Sequence, residues 1–273
     1  MACRRCPIEP ERKEGTHPVI RIKTSEEIEA MRATCRLAAK TLNMIAPHVQ
    51  PGVTTDRLND ICHAFIIEHG AVPSPLNYRG FPKSICTSIN QQVCHGIPGD
   101  RVLREGDIVN VDITTNLNGF HGDTSRTFAV GQIGTKAEKI MRVARECLDI
   151  GIAVVRPGAH LGDIGAAIEA HAKKNRCSVV REYCGHGIGR EFHEEPAVLH
   201  FGIRGEGPVL RPGMIFTIEP MINLGRAAIK LLPDKWTVVT RDHTLSAQYE
   251  HTLLVAPHGV DVLTLDLEAE GVV

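Results

Sequence analysis

The sequence predicts a fold of helices and strands arranged in two similar halves, and three recurring features support this prediction. Each half opens with a capping-box motif and an amphipathic helix. Each half then carries a Pro-Gly pair before a second helix. A segment at 102–112 aligns without gaps on 209–219, at an offset of 107 residues. Two copies are too few for a repeat array, so we expect a duplication within one fold.

The first half begins with two predicted helices. Thr24 and Glu27 have the spacing of a capping box, in which each side chain satisfies an exposed backbone donor. The apolar stripe of that helix consists of Ile28, Met31, Cys35, Ala38, Leu42 and Ile45. Pro47 is expected to end the helix. A second helix is expected to begin near Thr55 or Asp56.

The second half repeats this order. Thr135 and Glu138 are predicted to form another capping box, which opens a helix whose apolar stripe is Ile140, Val143, Cys147 and Ile150. The next helix is expected to begin near Asp163. Before all of these elements, residues 1–20 are polar and lack periodicity, so we expect a flexible tail.

The aligned segments are predicted to be strands that follow glycine-containing turns. Alternation along a strand places Asn110 and Asp112 on one face, and it places Thr217 and Glu219 on the equivalent face of the other copy. Asp112 and Glu219 are therefore equivalent acids in the two halves.

Each half supplies a second acid, Asp123 in the first and Glu250 in the second, each directly before an apolar or alternating run. If the halves pack about an approximate two-fold axis, all four carboxylates converge. Protonation or two divalent cations would cancel their repulsion. Oxygen ligands with one or two imidazoles suit Mn, Co, Fe or Zn. The alternative is that each acid is a solvated residue at a strand end, but the matched placement of the four favours a metal centre.

Composition excludes several classes of protein. There are 31 Lys and Arg residues against 32 Asp and Glu residues, and a formal net charge of −1 gives no electrostatic case for a nucleic-acid or membrane-surface protein. No apolar run is long enough to span a bilayer, and no secretory signal is apparent. Nine cysteines are then expected to stay reduced. A cytosolic enzyme or binding domain is predicted.

Three of the 14 histidines lie in short motifs that suggest a functional role. His95 and His186 share a His-Gly-Ile run in corresponding parts of the two halves, and His193 precedes two glutamates. His193 does not open a zincin helix, and neither a dinucleotide-binding nor a phosphate-binding glycine motif is present. We interpret the following histidines as ordinary core or surface residues: His17, His48, His200 and His258.

Ordered motifs then identify a resemblance to one family. They are Tyr78-Arg79-Gly80-Phe81-Pro82-Lys83-Ser84-Ile85-Cys86, Cys94-His95-Gly96-Ile97-Pro98, Asn110-Val111-Asp112, Gly119-Phe120-His121-Gly122-Asp123-Thr124-Ser125, Gly185-His186-Gly187-Ile188-Gly189 and Ile218-Glu219-Pro220. The chain resembles the type I methionine aminopeptidases over nearly everything after about residue 20. This resemblance implies the α+β pita-bread fold of peptidase family M24, with helices backing a curved antiparallel sheet. We expect a single catalytic domain at 21–273, with halves at about 21–130 and 131–265.

The resemblance also implies two divalent metal ions per chain and a ligand set. Asp123 and Glu250 would bridge the two ions, Asp112 would bind one of them, and His186 with Glu219 would bind the other. All five family ligands are present. The metal is expected to be Co, Mn, Fe or Zn.

The resemblance assigns further roles around these ligands. His95 and His193 match the family's non-ligand catalytic histidines, near the peptide nitrogen and the scissile carbonyl respectively. The methionine pocket would consist of Tyr78, Phe81, Cys86, Phe192 and Trp236, together with His95 and His193. Phe81 stands where well-known bacterial members have tyrosine. A pocket of aromatic and sulfur groups suits a thioether.

The function implied is removal of the initiator methionine from nascent proteins when the second residue is small. A metal-bridging hydroxide would attack the peptide carbonyl, with Glu219 as the proton shuttle and His193 stabilising the oxyanion. The resemblance further implies a cytoplasmic, monomeric enzyme in transient contact with the ribosome, without membrane or sequence-specific nucleic-acid binding.

Two alternatives belong to other classes. A proline-specific dipeptidase of the same fold would normally carry a large N-terminal domain, and a non-catalytic binding protein should have lost ligands. Only 26 positions separate His193 from Glu219, which favours type I over type II enzymes. Cys3 and Cys6 have the spacing of half a zinc site, but no second ligand pair follows, so the tail is expected to be dispensable.

Overall fold

The computed structural model describes residues 19–265. Cys3 and Cys6 of the predicted tail lie outside the described residues. Four helices are found in this range: α1 (Ser25–Ile45), α2 (Thr55–Glu68), α3 (Thr135–Val154) and α4 (Leu161–Lys174). Two short 3₁₀ helices, Ala46–His48 and Tyr78–Gly80, follow α1 and precede the first long strands. None of the helices within 19–265 combines the length and apolar character needed to cross a bilayer.

The first predicted helix is confirmed with its cap. The Glu27 amide donates to Thr24 Oγ1 at 3.3 Å, and the Thr24 amide donates to Glu27 Oε2 at 3.1 Å. Its apolar stripe is buried, including Met31, Cys35 and Leu42. The α-helical part ends at Ile45, before the proline that was expected to stop it.

The capping box predicted at Thr135 is wrong. Gly134 is the N-cap of α3 in an extended conformation, no side chain caps the helix, and Thr135 is already its first helical residue. Glycine is an accepted N-cap, so the helix begins without the hydroxyl. Helix α4 likewise begins at Leu161, before the expected Asp163, because the His160 amide donates to Asp163 Oδ2 at 2.8 Å.

All strand pairs are antiparallel within the described chain. The strands are β1 (Val72–Pro73), β2 (Cys86–Ile89), β3 (Gln92–Cys94), β4 (Ile108–Leu117), β5 (Phe120–Ala129), β6 (Ser178–Val179), β7 (Gly185–Gly187), β8 (Glu194–Val198), β9 (Ile215–Ile218), β10 (Met221–Asn223), β11 (Ile229–Leu231), β12 (Val238–Thr240), β13 (Ser246–Gln248), β14 (His251–Ala256) and β15 (Gly259–Val262).

Two sheets carry the duplicated strands. In the first, the β4–β5 hairpin is flanked by β1 and β2, both of which pair with β4. In the second, the order is β15-β14-β9-β7-β8. The sheets meet where the Glu250 amide donates to the Ser125 carbonyl at 3.0 Å. Smaller three-stranded sheets, β13-β10-β6 and β11-β12-β3, complete the strand structure.

Helices cover each half separately. Helices α1 and α2 pack on the first sheet around Leu58, Val111 and Ile113, while α3 and α4 pack on the second around Ile164 and Phe216. Burial of these apolar side chains is the main stabilising contribution in each half. The predicted duplication of helices backing antiparallel strands is confirmed.

Candidate metal centre and substrate cavity

The strands bring the four predicted acids to one place. Asp112 lies on β4 and Asp123 on its hairpin partner β5, while Glu219 directly follows β9 and Glu250 directly precedes β14. Strands β9 and β14 are neighbours, and Ser125 of β5 forms a bridge with Glu250. The four carboxylates therefore converge where the two sheets meet, as the duplication predicted.

His186 on β7 completes this group. Its Nε2 atom lies 3.7 Å from Asp123 Oδ2 and 3.6 Å from Glu219 Oε1. Its Nδ1 lies 3.0 Å from the Gly187 carbonyl oxygen. An Nδ1–H donated to that carbonyl leaves the Nε2 lone pair facing the acids, as a metal-ligating imidazole requires. Ligand atoms of Asp123, His186 and Glu250 all lie within 4.8 Å of one another.

The four acids are largely buried, so water screens the repulsion between their negative charges only weakly. Burial raises the pKa of Asp112 to about 7 and that of Glu219 to about 8. Burial, and then the charges of the neighbouring acids, raise the pKa values of Asp123 and Glu250 well above the usual range. Divalent cations would hold all four groups ionised, so the donor set fits a metal centre better than an empty acidic cluster.

Neutral groups orient these acids. The Thr114 hydroxyl donates to Asp123 Oδ1 at 2.8 Å, and the Thr217 hydroxyl donates to Glu219 Oε1 at 2.8 Å. Gln248 Nε2 donates to Glu219 Oε2 at 3.2 Å. The orienting roles of these three residues were not predicted from the sequence. Each stands two positions from a predicted acid, so the period-two alternation of a strand was the signal that could have found them.

His200 also contacts this group. Its side chain is fully buried, as expected of a core residue, and its Nε2 accepts the backbone amide of Glu219 at 3.1 Å. Burial lowers the pKa of His200 to about 3, so the ring is neutral. Nothing in the local sequence pattern distinguished it from the other histidines, because this contact joins residues that are distant along the chain.

The two predicted catalytic histidines flank the acids. The His193 ring lies 4.2 Å from the His186 ring, and the Tyr78 hydroxyl lies 3.0 Å from His193 Nδ1. The His95 ring packs edge-on against Trp236 at 6.3 Å, and His95 holds a positive φ of 55°. Burial lowers the pKa of His95 to about 4 and that of His193 well below its usual value. Both rings are therefore neutral.

All of the predicted site residues line one cavity of about 120 Å³. Phe81 packs edge-on against Trp236 at 5.1 Å, and Tyr78 packs against Phe192 at 5.0 Å. Cys86 on β2 lies directly opposite Asp112 on β4. The cavity also includes lining residues to which no role was predicted from the sequence: Cys94, Tyr183, Cys184 and Met221. Cys94 and Cys184 stand one and two positions before His95 and His186, so their motifs carried the signal.

His121 was quoted only as part of a motif and was given no role. Its ring stacks on Phe192 with a centroid distance of 5.6 Å and an interplanar angle of 6°. Asn116 Nδ2 lies 3.0 Å from His121 Nε2, and Ser74 Oγ lies 2.8 Å from His121 Nδ1. An Nε2 that accepts from the amide leaves Nδ1–H to donate to the hydroxyl. His121 thus supports a wall of the cavity.

A converging set of buried carboxylates with one imidazole, beside an aromatic cavity, defines the class of metal-dependent hydrolases. The family model of metallopeptidase family M24 matches residues 29–257. The methionine aminopeptidase of Rickettsia prowazekii is 54% identical over 247 residues, which cover 90% of this chain and 95% of that protein. The methionine aminopeptidase of Escherichia coli K12 is 53% identical over 248 residues, with 90% and 94% covered.

Solved structures agree with these relatives. The crystal structure of the Rickettsia prowazekii enzyme matches with a TM-score of 0.90 at 54% identity and covers 90% of this chain and 100% of that one. The methionine aminopeptidase of Thermotoga maritima matches with a TM-score of 0.89 at 36% identity, covering 91% and 100%. The chain therefore belongs to metallopeptidase family M24 and, within it, to the methionine aminopeptidases, whose pita-bread fold it has. It is a metal-dependent aminopeptidase.

More distant matches show the fold alone. The prolidase of Pyrococcus horikoshii matches with a TM-score of 0.70 at 21% identity, and the aligned part covers 63% of that chain. Nothing in these matches favours the alternative prediction of an Xaa-Pro dipeptidase.

Proposed function

We propose that this enzyme removes the N-terminal methionine from nascent proteins whose second residue is small. The observation that carries the proposal is one cavity in which the carboxylate and imidazole group adjoins an aromatic, sulfur-containing pocket. Relatives with 53–54% identity bear the name methionine aminopeptidase. A metal centre at one end of a pocket for one side chain suits cleavage next to a free N-terminus.

The five polar side chains would hold two divalent ions. Asp123 and Glu250 would bridge them, Asp112 would complete one site, and His186 with Glu219 would complete the other. Oxygen donors with a single imidazole suit Mn, Co, Fe or Zn. When bound, such ions supply Lewis acidity, which lowers the pKa of water and polarises a carbonyl group.

His193 would stabilise the negative charge that develops on the carbonyl oxygen. The ring is neutral because of burial, so one nitrogen carries a proton and the other does not. If Nδ1 accepts the Tyr78 hydroxyl at 3.0 Å, Nε2–H is the donor available to the substrate. A fixed donor of this kind acts most strongly on charge formed in the transition state.

Glu219 would carry the proton from water to the departing amine. The Thr217 hydroxyl and the Gln248 amide hold its two oxygens in place. A carboxylate fixed in this way can accept a proton and return it. His95 would contact the peptide nitrogen from the other wall of the cavity.

The aromatic pocket would select methionine. Tyr78, Phe81, Cys86, Phe192 and Trp236 would surround the thioether, which makes favourable contacts with aromatic ring edges. Phe81 contributes an apolar edge against Trp236, at a position where a tyrosine would add a hydroxyl. The second residue would lie outside this pocket, beyond the scissile bond, where His95 and the surrounding walls would leave little room. We therefore expect bulky second residues to be excluded sterically.

The cellular setting is part of the same proposal. The enzyme would act as a monomer in the cytoplasm, and its substrates would be nascent polypeptides. It would contact the ribosome transiently. The seven cysteines in the described chain are free thiols, and six of them are buried. Free buried thiols are typical of reducing compartments, which supports the cytoplasmic assignment.

Parallel turnover of three substrates tests the proposal. We expect free methionine from Met-Ala-Ser, at least about a hundredfold less from Met-Leu-Ser, and no hydrolysis of the dipeptide Ala-Pro. The matched variant Glu219→Gln should lose turnover of Met-Ala-Ser. Hydrolysis of Ala-Pro at a rate comparable to that of Met-Ala-Ser would contradict the proposal and favour a dipeptidase.

A further inference from the structure

A row of ring contacts leads from His121 on β5 to the proposed metal ligand His186. The His121 ring stacks on Phe192 with a centroid distance of 5.6 Å and an angle of 6° between the two planes. The Phe192 ring lies 4.3 Å from the His193 ring, which lies 4.2 Å from the His186 ring. Phe192 and His193 line the substrate cavity, whereas His121 does not. His121 therefore stands behind the Phe192 ring.

The two residues in the middle of this row lie outside regular secondary structure. Phe192 and His193 belong to the connection between β7 and β8, in the second half of the molecule. The direction of a side chain in such a connection depends on packing, because no strand pairing sets it. His121 belongs to the first sheet, and its backbone amide donates to the Gly189 carbonyl of this connection at 2.8 Å. The first sheet thus supports a catalytic segment of the second half.

Hydrogen bonds to both nitrogens fix the plane of the His121 ring. Asn116 Oδ1 accepts the Gly119 amide at 3.1 Å, which leaves Asn116 Nδ2 as the donor to His121 Nε2 at 3.0 Å. Because Nε2 accepts, the ring carries its proton on Nδ1, which donates to Ser74 Oγ at 2.8 Å. The ring is therefore held at two opposite points.

The two partners of the ring are themselves parts of the first sheet. Asn116 on β4 lies directly opposite His121 in the β4–β5 hairpin. Ser74 directly follows β1, and its amide donates to the Thr114 carbonyl of β4 at 2.9 Å. Three adjacent strand segments thus hold one ring, which makes it a rigid support for the less regular segment that packs on it.

We propose that His121 is a positioning residue, which holds the ring of Phe192 and, through it, the ring of His193. Its nitrogens are bound to the first sheet, and its face carries the segment of the second half. This inference rests on the proposed function, in which His193 is the donor to the carbonyl oxygen and Phe192 lines the methionine pocket. His121 acts through these residues and does not itself touch the substrate.

His121→Leu removes the stacked ring and both of its hydrogen bonds. We expect kcat/KM for Met-Ala-Ser to fall about tenfold, because small displacements of a catalytic donor are costly. Most of the loss should lie in kcat, because His193 acts on charge that forms in the transition state. Rates are expressed per metal-loaded chain, with bound metal counted in each variant. Ser74→Ala keeps the ring but removes one anchor, and it should lower kcat about threefold even if His121→Leu fails to fold.

A double-mutant cycle shows whether His121 acts through Phe192. In the Phe192→Ala background the supported ring is absent, so adding His121→Leu should change kcat/KM by less than about twofold. A purely structural role of His121 would lower the fraction of active enzyme. It would therefore reduce turnover by the same factor in both backgrounds.

His69→Leu is the matched control. The His69 ring also packs on a phenylalanine, Phe65, at a centroid distance of 4.1 Å, and its Nδ1 lies 2.8 Å from the Phe65 carbonyl oxygen. This pair lies at the end of α2, and neither residue lines the substrate cavity. The kcat and KM of this variant should equal those of the wild type.

Two results would overturn the inference while leaving the proposed function intact. One is an equal loss from His121→Leu with and without Phe192→Ala. The other is a change confined to KM, because His121 would then serve the methionine pocket without positioning His193. Wild-type turnover in both Phe192→Ala and His193→Ala would instead refute the proposed site, and this inference with it.

Discussion

At the scale of single residues, burial determines which groups of this centre are protonated. The four acids are largely buried, so their pKa values rise, while the neighbouring imidazoles stay neutral for the same reason. Protonated acids and neutral imidazoles are the forms that carry the least charge. Bound divalent cations would instead stabilise the ionised form of the acids. The imidazoles would stay neutral and act as metal ligands or hydrogen-bond donors.

His193→Ala tests one role at this scale. The variant removes the proposed donor to the carbonyl oxygen, so kcat for Met-Ala-Ser should fall about 10²–10³-fold. Metal content should stay at the wild-type value, because the His193 ring lies beside His186 and is not among the proposed ligands. Loss of metal from this variant, measured by atomic absorption, would mean that His193 is itself a ligand.

The buried histidines predict how stability depends on pH. Burial lowers the pKa of His121 to about 4, against an ordinary value of 6.5 in the unfolded chain. Between these values the unfolded state binds more protons, so stability is full above pH 6.5 and is lost as pH falls towards 4. The slope is at most about 1.4 kcal/mol per pH unit for one proton. Urea unfolding of wild type and His121→Gln across this range should give a smaller slope for the variant. An equal slope in wild type and His121→Gln would contradict the lowered pKa of His121.

At the scale of elements, one buried ion pair ties the segment before α1 to the strand after His193. Lys23 Nζ lies 2.5 Å from Glu194 Oε2, and the side chains are only 4% and 7% exposed. Glu194 begins β8 and also lines the substrate cavity. This pair therefore connects the N-terminal edge of the domain to the segment that carries Phe192 and His193.

Lys23→Met should reduce the free energy of unfolding by about 3–5 kcal/mol, because it leaves a buried carboxylate without a partner. The double variant Lys23→Met/Glu194→Leu should recover most of this loss. Arg142→Ala is the control, since its pair is exposed and should be worth at most about 1 kcal/mol. If urea unfolding gave Lys23→Met the same small loss as the control, the pair would not join these segments.

The helices and strands differ in how far they could be predicted from the sequence. The helices were predictable because capping and apolar periodicity are local, as in α1 with Thr24 and Glu27. The β4 and β9 strands were predictable because the duplication repeats them. The short strands, such as β6 and β7, were not predicted individually, since their pairing depends on residues far along the chain.

The same distinction applies to the candidate site. Equivalent positions in the repeat indicated Asp112 and Glu219, and family motifs indicated the histidines and pocket residues. Thr114 and Gln248 were missed although strand alternation marks them. His200 could not have been selected, because only tertiary packing brings its ring to the Glu219 amide.

At the scale of the whole molecule, the proposed ligands come from both halves. Asp112 and Asp123 belong to the first sheet, and His186, Glu219 and Glu250 come from or adjoin the second. Cations bound here would join the halves as well as offset the charge of the acids. Metal binding should therefore stabilise the entire fold and not only the centre.

Removal of metal by chelation and dialysis should lower the melting temperature at neutral pH, since metal binds the folded state preferentially. A hundredfold excess of metal over Kd corresponds to about 2.7 kcal/mol. Added Mn should restore the melting temperature in wild type, and it should restore less in Asp123→Asn. Identical melting curves with and without metal would show that the halves do not depend on it.

The most direct test is methionine release from Met-Ala-Ser by the chelated enzyme, followed by titration with Mn or Co while bound metal is counted. The structure predicts that turnover is lost on chelation and returns with divalent metal, reaching its full value by the time two ions are bound per chain. Full turnover after exhaustive chelation would contradict the central claim that the converging carboxylates and His186 form a catalytic metal centre.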